Sequence, residues 1–145
     1  MKLNKNGNFY PVFAKQQDYG DEMKKCVETV VDRLLSTETT DDRPGMLLGK
    51  IQSGKTRAFM GSIALAFDNG VDVAVIFTKG TLLLAEQTLS RINNDYETFI
   101  SANELVAQDI RSLKDELTHF QLNVQTLVIH SLTTQYQSTP IATIP

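Results

Sequence analysis

The sequence holds one cysteine, Cys26, and two histidines, His119 and His130, in 145 residues. One thiol cannot close an internal disulfide, so a reducing compartment is the simpler expectation. No nearby charge in sequence activates Cys26, which reads as a small buried hydrophobe on a helix face. The histidines do not pair at metal-ligand spacing with each other or with Cys26, so no zinc site is expected. His130 reads as a strand-end residue rather than a catalytic base. No apolar run reaches the roughly eighteen residues of a membrane-spanning helix. The opening stretch, Met1-Lys2-Leu3-Asn4-Lys5-Asn6-Gly7-Asn8, has no apolar signal-peptide core. Positive charge is not in excess: the net charge is −3, so no general attraction to nucleic acid or membrane is implied. Any nucleic-acid contact has to be local. The expectation is a cytoplasmic protein without a membrane partner. A hydrophobic content of 41% is enough to bury one core. No internal repeat is visible.

What is present is Gly49-Lys50-Ile51-Gln52-Ser53-Gly54-Lys55-Thr56. It fits G-x-x-x-x-G-K-[ST], the phosphate-binding loop of nucleoside triphosphatases. Gly49 and Gly54 allow positive φ and a close backbone approach to an anion. Successive N–H groups, including those of Gln52 and Ser53, then form a nest around phosphate oxygens. Lys55 brings a mobile charge to the β- and γ-phosphates, and the Thr56 hydroxyl is a ligand for Mg²⁺. A helix starting at the loop would aim its positive end at the same phosphates. The flanks suit the motif. Met46-Leu47-Leu48 reads as a short buried strand, and residues 58–67 are apolar enough for a buried helix.

Residues 1–17 are polar with a few aromatics and read as a loosely docked arm. Asp18 or Asp21 can cap a helix running to about Ser36. Its apolar positions are Met23, Cys26, Val27, Val30, Val31, Leu34 and Leu35, the spacing of one helical face. Residues 37–45 form a linker with no apolar residue, closed by Pro44-Gly45. After the phosphate-loop helix, Asn69 or Gly70 can take a left-handed cap. Val71-Asp72-Val73-Ala74-Val75-Ile76-Phe77 is nearly continuous in apolar residues, which predicts a parallel strand covered on both faces. The loop 78–81 leaves its carboxyl end, the edge where open α/β sheets bind ligands. A helix is predicted over 82–92, broken at Asn93-Asn94-Asp95. Residues 96–100 suit a short edge strand. Ser101 and Glu104 suit a capping box for a helix reaching to about Phe120, with a break near Arg111-Ser112 as the alternative. Residues 124–130 read as a third strand. The remainder, 131–145, is rich in Ser, Thr and Pro and is expected to be mostly disordered.

The phosphate loop, read with Val73-Ala74-Val75-Ile76-Phe77-Thr78-Lys79-Gly80-Thr81-Leu82-Leu83-Leu84-Ala85-Glu86-Gln87-Thr88, resembles superfamily 2 helicases. The likeness is closest to the helicase-like ATPase modules of restriction and phage-defence systems, and it covers roughly residues 44–92. In that family the loop often reads Gln-Ser-Gly-Lys-Thr, as Gln52 to Thr56 does here. The resemblance implies that Thr78, Lys79, Gly80 and Thr81 match motif Ia, which holds phosphates of a DNA or RNA strand. The plainer alternative is that Thr81 is an N-cap and Lys79 a solvated loop residue. The implied fold is α/β, a three-layer sandwich of the phosphate-loop NTPase type with a short, mostly parallel sheet. The implied domain spans 46–130 and is incomplete.

Departures from the family narrow the expectation. No apolar strand ends in the Asp-Glu pair that would hold Mg²⁺ and position water; the late strand ends in His130-Ser131. Asp72 opens its strand and so sits at the wrong edge. No second lobe and no arginine-finger segment follow. The chain reads as the front part of a larger helicase-like motor, truncated or naturally shortened, which binds ATP with Mg²⁺ and hydrolyses it poorly or not at all alone. One alternative is a small phosphotransferase, although Arg57, Arg91 and Arg111 are scattered and no lid is evident. Another is a non-enzymatic module binding partners through the amphipathic helix.

Overall fold

The computed structural model describes residues 2–37, 54–79, 82–109 and 124–131. The chain is a mixture of helices and strands, an α/β protein at the coarse level. It divides between Val71 and Asp72 into two compact units. The phosphate-loop helix thus groups with the N-terminal helices and not with the strand that follows it.

The first unit is helical: α1 (Tyr10–Gln16), α2 (Asp21–Ser36) and α3 (Lys55–Phe67). α3 forms because its thirteen residues, KTRAFMGSIALAF, are mostly good helix formers with apolar groups nearly all round. Such a helix must be buried, and Ala58, Met60, Ala64, Leu65, Ala66 and Phe67 are. α2 packs along α3, with Val27 and Val31 fully buried, and α1 packs on α3 as well. Leu34, on the α2 stripe, stays 51% exposed. Neither aspartate caps α2. Gly20 is its N-cap, with no side-chain hydrogen bond, and Asp21 lies in the first turn, where it favours the dipole.

The N-terminal segment is not the loosely docked arm its polarity predicts. Phe9, Tyr10 and Phe13 are among the most buried residues of the chain. Phe9 meets Phe67 edge to face at 5.8 Å, and Phe13 meets Tyr19 at 5.9 Å. The start of α1 is capped from far along the chain. The Asp68 carboxylate accepts hydrogen bonds from the Phe9 and Tyr10 N–H groups at 2.9 and 2.7 Å. Asn69 then ties down Asn4 in both directions: its Oδ1 accepts from the Asn4 N–H at 2.7 Å, and its Nδ2 donates to the Asn4 carbonyl at 2.9 Å. Three aromatics and two long-range caps outweigh the polar composition.

The second unit holds β1 (Val73–Lys79), α4 (Leu82–Asp95), α5 (Glu97–Ser101), β2 (Leu105–Asp109) and β3 (Val124–Ser131). The sheet order is β1-β3-β2. Both pairings are antiparallel, with Val73 opposite His130, Lys79 opposite Val124, and Leu105 opposite Ser131. The mostly parallel sheet expected from the apolar runs is therefore corrected among the described residues. An antiparallel strand can also be wholly apolar when its inner face is buried and its outer face is left bare. Alternation of burial shows this on β1. Val73, Val75 and Phe77 are 44%, 49% and 68% exposed, while Ala74, Ile76 and Thr78 between them are half-buried. α4 packs across the sheet, with Ala85 and Ile92 buried, and α5 packs on α4 and β2.

Three local expectations change in this unit. α4 runs through Asn93-Asn94 to Asp95, so that trio does not break it. Residues 97–101 are a helix, not an edge strand, and Ser101 ends it instead of capping the next. The reversal is made by Asn103, at φ 56°, and by the Glu104 N–H donating to the Phe99 carbonyl at 2.8 Å. Leu105, fully buried, then opens a strand where a helix was predicted. Val106 fits either period, and pairing with β3 decides between them. Ser131 closes β3; residues 38–53, 110–123 and 132–145, including the predicted strand 46–48, most of the linker and the tail, lie outside the described residues.

Candidate functional site

Of the phosphate-loop residues, Gly54, Lys55 and Thr56 are described; Gly49, Gln52 and Ser53 are not. Gly54 adopts φ 75°, ψ 24° and is the N-cap of α3, which begins at Lys55. An L side chain pays a penalty in this left-handed region, so glycine is required there by conformation. Space is tight as well: a Cβ on Gly54 would lie 3.1 Å from the Met23 methyl of α2, which would have to give by a few tenths of an ångström. The Ala58 N–H donates to the Gly54 carbonyl at 2.9 Å and closes the first turn. Inside a helix the first N–H groups have no i−4 acceptor, and here no acidic residue in the first turn offsets their positive end. Lys55 is exposed, and Thr56 beside it is half-buried.

The first turn of α3 is anchored by residues that carry no motif. The Arg57 guanidinium donates to the carbonyls of Gln17 and, at 3.2 Å, Asp18, and it lies over the Tyr19 ring at 5.2 Å. The Tyr19 hydroxyl donates to the Arg57 carbonyl. Gly61, one turn on, leaves room for that phenol: a Cβ there would stand 2.7 Å from Tyr19 Cε2. Asp18 holds φ 48° at the end of α1, so the carbonyl that meets Arg57 is presented by a left-handed turn. Sequence reasoning missed Tyr19, Met23 and Arg57 in these positions. The only signal was that a glycine sits in the middle of an otherwise strong helix.

The second candidate segment belongs to the sheet unit. Thr78 lies near the end of β1 with its hydroxyl buried and without a hydrogen-bond partner. Lys79 is the last residue of β1. Gly80 and Thr81 lie outside the described residues, and α4 starts at Leu82. Asp72 precedes β1 and is exposed, as the sequence placed it. His130 is a strand residue of β3, opposite Val73 and Val106; His119 is outside the described residues. Cys26 is half-buried on α2, less enclosed than its apolar neighbours suggest.

No family model, no curated protein and no solved structure matches the chain. The chemistry of the site is therefore read from its own residues.

A further cleft, of about 540 Å³, lies beside α1 and α2 and includes Lys5, Tyr10, Lys15, Lys24 and Glu28 in its lining. Lys5 Nζ sits 2.5 Å from Glu28 Oε2, a partly exposed pair of little net value. The Tyr10 hydroxyl is buried without a partner. Burial, and then the Glu28 carboxylate, push its pKa up to about 12. The phenol is thus neutral through the physiological range. No motif pointed to this cleft, because its residues are spread over a turn, a short helix and a long one.

Proposed function

We propose that this chain binds a nucleoside triphosphate, ATP with Mg²⁺, through residues 49–56, as part of a helicase-like, nucleic-acid-dependent ATPase. The observation that carries the reading is Gly54 in the left-handed region directly before a helix that opens with Lys55-Thr56. In this reading the first turn of α3 and the Lys55 ammonium meet the phosphates, and the Thr56 hydroxyl is a ligand for Mg²⁺. The strand-loop-helix arrangement of a phosphate-loop NTPase over residues 46–67 belongs to the same proposal, with antiparallel partners for β1. Thr78, Lys79, Gly80 and Thr81 form the proposed contact with a DNA or RNA strand, on the strength of their match to motif Ia; the Thr78 hydroxyl is buried, so its share of that contact falls to the backbone. Hydrolysis by this chain alone is expected to be poor, because no apolar run of its sequence leads into an Asp-Glu pair. The remainder of a larger motor is the proposed partner.

Titration of MgATP against wild type and Lys55→Ala tests the site. The variant is expected to lose affinity by about tenfold or more, ~1.4 kcal/mol for each factor of ten. Equal affinity in the two proteins would remove the phosphate loop from the binding site.

A further inference from the structure

Asn69 is followed by Gly70, which has no side chain to hinder its backbone nitrogen. In an unfolded chain that nitrogen can lose its proton to solvent base and attack the Asn69 side-chain carbonyl carbon. The new C–N bond closes a five-membered succinimide, and the side-chain amide leaves as ammonia. Water then opens the ring at either carbonyl, giving aspartate or isoaspartate at position 69. Only water is consumed, because the base that takes the Gly70 proton is regenerated when ammonia leaves.

The fold holds this reaction in check. Asn69 is 8% exposed and is the one buried polar or charged residue among those described. Its side chain makes three hydrogen bonds: it accepts from the Asn4 N–H at 2.7 Å, and donates to the Asn4 carbonyl at 2.9 Å and to the Leu65 carbonyl at 2.8 Å. The Gly70 nitrogen is itself engaged, donating to the Phe67 carbonyl at 3.3 Å. Ring closure needs all of these to open together. Two of the three side-chain bonds are to Asn4, so undocking of the N-terminal segment is the natural opening event.

We propose that Asn69-Gly70 is a latent self-modification site, latched by residues 4–10 and released when that segment undocks. The change runs one way. Once the amide becomes a carboxylate, the donor facing the Asn4 and Leu65 carbonyls is replaced by a negative oxygen, and three oxygens face each other in a buried space. The N-terminal segment cannot redock in the same way. α1, which packs on α3, is thereby loosened, and the helix that opens with Lys55 loses part of its cover. The site is independent of nucleotide binding and stands or falls without it.

The test is the rate of amide-to-acid conversion at position 69, followed by peptide mass mapping in mildly alkaline buffer. Wild type, folded and urea-unfolded, is compared with Gly7→Ala and Gly70→Asn. A Cβ on Gly7 would overlap the Asp68 carboxylate and force the segment off, whereas a Cβ on Gly70 meets nothing within 4 Å. Asparagine is the L residue that enters the φ of 88° at position 70 at least cost, and it hinders the attacking nitrogen. The folded wild type is expected to convert at least about tenfold more slowly than the unfolded chain, in proportion to its open fraction. Gly7→Ala is expected to recover most of that difference, and Gly70→Asn to slow conversion in both states. Equal rates in folded and unfolded wild type would overturn the proposal. A second measurement guards against an unfolded Gly7→Ala: in wild type, the rate should rise at urea concentrations below the global transition. A rise only in step with global unfolding would show that no local latch exists.

Discussion

In the helical unit Phe9, Tyr10, Phe13 and Phe67 are all less than a tenth exposed, whereas in the sheet unit Phe77 is 68% exposed and Val73 and Val75 nearly half. The residues are alike in chemistry and differ in what surrounds them. α3 is apolar on nearly every side and draws α1, α2 and the N-terminal aromatics onto it. β1 is equally apolar, yet α4 and α5 account for one face of its sheet. Burial follows from the number of layers that reach a residue, and hydrophobicity states only the demand for them.

Substitutions on either side of this contrast are expected to differ most. Phe13→Ala should cost ~3–5 kcal/mol, since it empties a fully enclosed position between Tyr19 and the α1–α3 contact. Phe77→Ala should stay within about 0.5 kcal/mol. Urea unfolding of both variants checks the pair, and comparable losses would mean that Phe77 is as enclosed as Phe13.

Next in size is Asp68→Ala. It removes the acceptor for two N–H groups at the start of α1 and should cost ~1–2 kcal/mol, the range of a lost helix cap. Hydrogen exchange should speed up first at Phe9 and Tyr10. Unchanged protection there would mean that the aromatic packing alone holds the segment.

Among the buried positions Tyr10→Phe should have the smallest effect, a gain of about 1 kcal/mol near neutral pH from removing a buried hydroxyl without a partner. Its pH dependence sharpens the point. Below pH 10 the phenol is neutral in both states. Above it the unfolded chain releases the proton while the folded chain holds it to about 12. The stability linked to this group is therefore fully present below pH 10 and is lost as pH climbs through 10–12, by up to ~2 kcal/mol. The difference between wild type and Tyr10→Phe should widen across that window and level off above it. A constant difference would mean that the phenol is solvated in the folded protein.

Much of the helical architecture was legible beforehand, because its signals are local. The α2 stripe, the apolar run of α3 and the left-handed stop at Gly70 all lie within a few residues of what they control. β1 and β3 were legible as strands for the same reason. Their direction was not, because an apolar run is equally satisfied by parallel and antiparallel neighbours. The docking of the N-terminal segment was illegible for a different reason. Its caps, Asp68 and Asn69, stand some sixty residues away, at |i−j| of 58 to 65. No window of sequence contains both donor and acceptor.

The candidate site divides along the same line. Gly54-Lys55-Thr56 announces a glycine turn and a helix start through residue type alone, since positive φ and helix initiation are short-range matters of steric fit and hydrogen bonding. The lone thiol and the net charge are likewise read directly from the residues. That Arg57 is clamped by the carbonyls of Gln17 and Asp18, that Met23 stands over Gly54, and that β1 leaves Phe77 bare are matters of long-range packing. They depend on which distant surfaces meet, and that choice is made by the whole core at once.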